Sequence, residues 1–189
     1  CRSTRAHNTV SVAGREQLEF WSTFRVGRRY SCESQWQEGG GTRQLLARHD
    51  GFRPYRHGRV FRLHEGRFWL ILDAVSGPGA FEVESYIHFH PDVDLRQDGD
   101  RWQARIGEGN LVILPMHVDS ASVVRGSEEP LQGWYCPAFG TRLPAPVLVM
   151  RKSCVERAWF GYVIVSPGVE PPPESTLAEL WNKAANNVL

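Results

Sequence analysis

The chain has 189 residues, 41% apolar and 11% aromatic with 7 Trp, which suits one packed domain and excludes a disordered chain. Lys and Arg number 22 against 21 Asp and Glu, a net charge of +1, which excludes a strongly basic nucleic-acid binder and an acidic tail. No run approaches the ~18 apolar residues of a membrane helix, so neither nucleic acid nor a membrane is expected as a partner.

Strand patterns fill most of the chain. Thr9–Val12 reads as a strand that ends at the turn signal Ala13-Gly14, and Gly39-Gly40-Gly41 marks a loop. Arg59–His64 and Arg67–Val75 form a predicted hairpin around Glu65-Gly66. Phe68–Leu72 is apolar on both faces, as in a strand covered from two sides. Phe81–His90 alternates: Phe81, Val83, Ser85, Ile87 and Phe89 share one face, while Glu82, Glu84, Tyr86, His88 and His90 share the other. Further strands are expected at Val93–Arg96, Trp102–Ile106, Leu111–Leu114 (stopping at Pro115), Ala121–Arg125, Pro146–Met150 and Trp159–Val165. Turn signals recur every ~8–12 residues, the rhythm of an antiparallel sandwich. After Pro171-Pro172-Pro173, the pair Thr176 and Glu179 reads as a capping box for an amphipathic helix, Thr176–Asn186, whose Leu177, Leu180, Trp181, Ala184 and Val188 recur at helical spacing and pack against the sandwich or a neighbouring domain. The expected organisation is an all-β antiparallel sandwich over residues 1–168, then a Pro-rich linker and short helix over 169–189.

Cys1, Cys32, Cys136 and Cys154 show no zinc-ribbon spacing and read as isolated thiols. Beginning at Cys1 fits a cut inside a longer protein better than a lipid anchor. Only Lys152 and Lys183 among the 22 cationic side chains are lysine; the rest are arginine, concentrated in residues 1–30 and 43–67. Composition bias accounts for this, and so does recognition of carboxylate or sulfate by the planar guanidinium fork.

No nucleophile elbow, phosphate loop or dinucleotide fingerprint is present. His88 and His90 form H-x-H beside Tyr86 on one strand face. Two such imidazoles can chelate one metal; without a third ligand at a recognisable spacing, a structural role is preferred. His49-Asp50-Gly51 reads as a turn, and His57, His64 and His117 have no identifiable partner. His7, entering the first strand, is by itself an ordinary strand histidine.

The stretches RSTRAHNTVSVAG, HDGF, RVFRLHEGRFWLILDAVSGPG, HFHPDV and GWYCPAFGTRLPAPVL, in this order across residues 2–167, resemble the C-terminal β-domain of heparinase II/III-like polysaccharide lyases. The most specific parts are R-S-T-x-x-H-N-T-V and the segment from H-D-G-F to W-L-x-x-D. The resemblance implies an N-terminal helical toroid followed by an antiparallel sandwich, and cleavage of uronic-acid polysaccharide (heparan sulfate or alginate) by β-elimination. It places the catalytic Tyr, His and Asn or Glu mainly in the toroid, with a further His from an early H-x-H segment of the β-domain. It also implies, in some members, a structural zinc held by a His of that segment, a following Asp and the His of the H-N-T strand. Only the last maps here, onto His7; His88 and His90 lie too far downstream to be that segment. The expectation is therefore a fragment with no catalytic residue of its own, one zinc ligand in His7, an acidic polysaccharide and the toroid as partners, and a periplasmic or secreted location. Two other readings are a non-catalytic acidic-carbohydrate-binding or scaffolding module, and an unrelated metal-binding sandwich built on His88 and His90.

Overall fold

The computed structural model describes residues 2–22, 25–186 and 188. A 3-10 turn, Thr4–Ala6, leads into β1 (Val10–Val12). There follow β2 (Cys32–Gly39), β3 (Thr42–His49), β4 (Arg56–His64), β5 (Phe68–His88), β6 (Asp94–Asp98), β7 (Arg101–Ile106), β8 (Gly109–Met116) and β9 (Ser120–Arg125). The short pairs β10 (Ser127–Glu128) with β11 (Leu131–Gln132), and β12 (Trp134–Ala138) with β13 (Thr141–Pro144), precede β14 (Pro146–Val165) and the helix α1 (Glu174–Ala185).

Every pairing is antiparallel, and β5 with β14 is the spine. Their halves Phe68–Ser76 and Arg157–Val165 lie in a layer ordered β2-β3-β4-β5-β14-β8-β7-β6. The other halves continue into a smaller layer, where β1 pairs with β5 and β9 with β14. The crossing point is an irregularity between Val155 and Arg157, beside Gly77-Pro78-Gly79, with positive φ at Glu156 (59°) and Gly79 (69°). The all-β sandwich expected from the alternation is what forms.

The layers close on each other through Ile71, Trp102, Ile113 and Tyr162 from one and Ile87, Leu148 and Met150 from the other. On the outer face of the large layer, α1 sets Leu177, Leu180, Trp181 and Ala184 against Leu46, Val60, Leu70 and Leu72. Each such buried large side chain contributes roughly 1.5–3 kcal/mol. Gly161 marks the tightest point of the spine: a Cβ there would lie 2.0 Å from the Ile71 carbonyl oxygen.

Several expectations need correction. The predicted strands ending at Val75 and beginning at Phe81 are one strand, as are those at Pro146–Met150 and Trp159–Val165, because the Gly- and Arg-containing segments between them bend without leaving the ladder. β8 does not stop at Pro115; that residue lies past the last one paired with β7, where an open flank tolerates a missing N–H. The capping box does not form: α1 starts at Glu174 behind Pro173, so Thr176 already lies inside the helix and the ring's fixed φ starts it instead. Gly39-Gly40-Gly41 is the tip of the β2–β3 hairpin. Cys32 and Cys154 are free thiols, while Cys1 lies outside the described residues. Among the described residues no helix is long and apolar enough to cross a membrane.

Candidate functional site

The two motif segments singled out in the sequence meet through one buried network. In the β4–β5 ladder Arg59 stands opposite Asp73. Both residues face the interior: Asp73 is fully buried and Arg59 nearly so. Arg59 grips the carboxylate with both ends of its fork, Nε to Oδ1 at 2.7 Å and Nη2 to Oδ2 at 2.8 Å. His57 Nε2–H donates to Asp73 Oδ1 at 2.7 Å. Burial alone raises a carboxyl's pKa, but the Arg59 charge and the hydrogen bonds from His57 and Arg59 outweigh it and hold Asp73 down at about 2. The same pairing raises Arg59 above its ordinary value against the opposing effect of burial.

The hydrogen-bond pattern assigns the protons along this chain. The Gly51 amide donates to His49 Nδ1 at 3.1 Å, so the His49 proton sits on Nε2 and is donated to His57 Nδ1 at 2.9 Å. His57 then carries its proton on Nε2, aimed at Asp73. Both rings are thus neutral, and His49 is pushed down to about 4 by burial and by the neighbouring His57. An extra proton on His49 would point at the Gly51 N–H. His49, placed as a turn residue from sequence, and His57, read as partnerless, are therefore two links of one relay.

At its far end the relay holds the segment that carries His7. Arg59 Nη1 donates to the Asn8 carbonyl at 2.6 Å. Asn8 Oδ1 accepts from the His88 backbone N–H at 2.8 Å and from His88 Nδ1–H at 2.9 Å. Gln132 Nε2 donates to the Arg5 carbonyl at 2.8 Å and approaches His88 Nε2 at 3.3 Å. His88 Nε2 also lies 3.1 Å from the Arg5 carbonyl, which can only accept, and burial lowers the ring's pKa against that bond. With both nitrogens engaged, His88 acts as a tether. His90 is on the solvent side, 3.4 Å from Asp92 and edge-on to Tyr135 at 5.1 Å between centroids, and does not join it. His64 packs on Phe68 and His117 on Trp181.

His7 is exposed: its backbone N–H donates to the Thr4 carbonyl at 3.2 Å and its carbonyl accepts from the Thr9 N–H at 2.8 Å, but its ring makes no hydrogen bond among the described residues, while Arg5 and Asn8 on either side are pinned. The ring is thus presented outward on a fixed stretch of backbone, as a single donor imidazole suited to a metal. Among the described residues no three His, Cys, Asp or Glu side chains cluster closely enough to hold a metal ion.

Solved structures share this fold. The heparan sulfate lyase HepC from Pedobacter heparinus is 17% identical at a TM-score of 0.70, over 91% of this chain and 26% of that one. The heparinase III BT4657 gene product is 17% identical at 0.67, over 88% of this chain and 24% of that one. A further heparinase III is 13% identical at 0.69, over 89% and 25%. This chain thus spans about a quarter of the length of the structures it matches. No curated protein matches the sequence. Residues 1–165 match the family described as heparinase II/III-like, C-terminal, and the chain belongs to that family.

Proposed function

We propose that this chain is the C-terminal β-sandwich of a polysaccharide lyase acting on uronic-acid polysaccharide of the heparan sulfate or alginate kind. The observation that carries the reading is the family match over residues 1–165, supported by a buried relay that joins its two most specific motifs. In the elimination, a base removes the C5 proton of the uronate, the C4–O bond breaks, a C4=C5 double bond forms, and an acid protonates the leaving oxygen. Neutralising the sugar carboxylate lowers the barrier to that proton loss. This chain's contribution is architectural: Arg59, His88 and Gln132 fix the backbone around His7. His7 supplies one ligand to a structural zinc whose remaining ligands, a His and an Asp, come from outside this chain. When bound, such a zinc pins separate strands together. The proton-transfer residues belong to a helical toroid in the same protein, and the protein works in the periplasm or outside the cell, where such polymers occur.

The test is the ultraviolet absorbance of unsaturated uronate during incubation with heparan sulfate and with alginate. The intact protein produces a steady rise on at least one polymer, and the 189-residue chain alone produces none. An intact protein inert on both polymers overturns the proposal; turnover by the chain alone overturns the assignment of the catalytic groups.

A further inference from the structure

A cleft of about 380 Å³ opens on the helix-bearing side of the large layer, past the end of α1. That volume is within the range of small-molecule sites and is several times what a lone ion fills. Its construction follows from register. Arg56 on β4 and Arg157 on β14 both stand directly opposite Ser76 on β5. Residues paired across neighbouring strands project from the same face, so the Ser76 side chain stands between those of Arg56 and Arg157 on one face of the sheet. Each begins about 5 Å from the central strand, well within its own reach. Like charges so placed repel, and among the described residues neither arginine has a carboxylate partner. The Arg157 guanidinium carbon lies 5.5 Å from the centroid of the Trp159 ring, which holds that fork by a cation–π contact.

The remaining wall is consistent with an anionic ligand. Arg48 lies alongside, with Nε donating to the Val188 carbonyl at 3.1 Å. Gly58 makes room there, since a Cβ would lie 2.6 Å from that carbonyl oxygen. The acids on the rim are Asp50 and Glu33. Asp50 is committed to Arg53, and Glu33 stands opposite Arg48 in the β2–β3 ladder, so the uncompensated positive charge is that of Arg56 and Arg157. Ser31 and Ser76 add hydroxyls that can donate to an oxyanion or accept from a ligand hydroxyl.

We propose that this cleft is an anion-binding site, built on Arg56, Ser76 and Arg157, for a small polar ligand that carries a sulfate or carboxylate group. It is distinct from the His7 segment, and it stands on this geometry whether or not the protein is a lyase. Planar forks carried on either side of a hydroxyl-bearing residue match the oxygens of either anion. The larger cleft leaves space for the hydroxylated body that bears the charge.

The experiment is a titration of the intact protein with sodium sulfate and with sodium glucuronate, at ionic strength held constant with chloride, followed by calorimetry and amide NMR shifts. Saturable binding of either probe, with shifts centred on residues 56, 76 and 157, is expected. Preference for sulfate identifies a sulfate ester as the natural group, and preference for glucuronate a carboxylate. Arg56→Gln and Arg157→Gln, both exposed and so harmless to folding, each weaken binding about tenfold or more. Arg96→Gln, on the far strand β6, leaves it unchanged. No saturable binding of either probe, or binding equal to wild type in Arg56→Gln and Arg157→Gln, overturns the assignment.

Discussion

Replacing Asp73 with Asn removes one charge and almost no volume, so it isolates the electrostatics of the relay. In the native protein three donors, Arg59 Nε, Arg59 Nη2 and His57 Nε2, converge on a carboxylate with no exposed surface. Asn offers one oxygen and turns an amide NH2 toward the others, leaving a buried guanidinium without its counter-charge. Losing one member of a buried pair costs about 3–5 kcal/mol, a large part of the ~5–15 kcal/mol by which domains are stable. At about 2–4 °C per kcal/mol for a chain of this size, the melting temperature falls by roughly 6–20 °C. A second signature lies in the acid limb. Asp73 titrates at about 2 in the fold against an ordinary 3.8. A depressed carboxyl contributes stability that is complete above its unfolded value and is lost as pH falls through the folded one. That contribution is about 2 kcal/mol, disappearing between pH 3.8 and about 2. Urea unfolding of wild type and Asp73→Asn from neutral pH to pH 2 measures both. A loss under about 1 kcal/mol at neutral pH, or an acid limb in the variant as steep as in wild type, refutes the account of a tightly held charge.

The relay makes a second demand on acidity. His49 is depressed from 6.5 to about 4, so its stabilising contribution is complete above pH 6.5 and declines as pH falls toward 4. For a partly exposed ring the effect is about 1–2 kcal/mol after solvent screening, and His49→Gln should remove that pH dependence in denaturation between these limits. Metal analysis of the intact protein should give one zinc per chain, lost in His7→Ala together with a lower melting temperature; a variant that keeps its zinc and stability would show His7 to be an ordinary surface histidine.

Much of this architecture is legible in sequence because one-sided burial writes itself as alternation. Phe81, Val83, Ser85 and Ile87 are all buried, as their shared face requires. β2 leaves no such trace: all eight of its residues are exposed, so Cys32–Gly39 carries no apolar rhythm. The relay was hidden by one residue. Reading Glu65-Gly66 as a two-residue turn pairs His64 with Arg67 and sets Arg59 opposite Leu72. The actual loop includes Arg67, His64 pairs with Phe68, and Arg59 comes to face Asp73. A slip of one position exchanges the faces of a strand, and here it separates an arginine facing an apolar neighbour from a buried ion pair. The positive φ values of both Glu65 and Gly66 belong to that three-residue loop, a conformation glutamate does not advertise.

The continuity of β5 and β14 bears on how the chain reaches this state. The two strands meet only after all the strands from β6 to β13 have been made, yet both layers are organised around their pairing. Neither layer can be finished first and docked later, since each contains half of the same two strands. Assembly is governed by distant contacts whose loop-closure entropy must be met before any neighbour rewards it, which places the protein among slow folders of high contact order. Until that closure the local hairpins β2–β3–β4 and β6–β7–β8 stand with open edges, the species on which chaperones act.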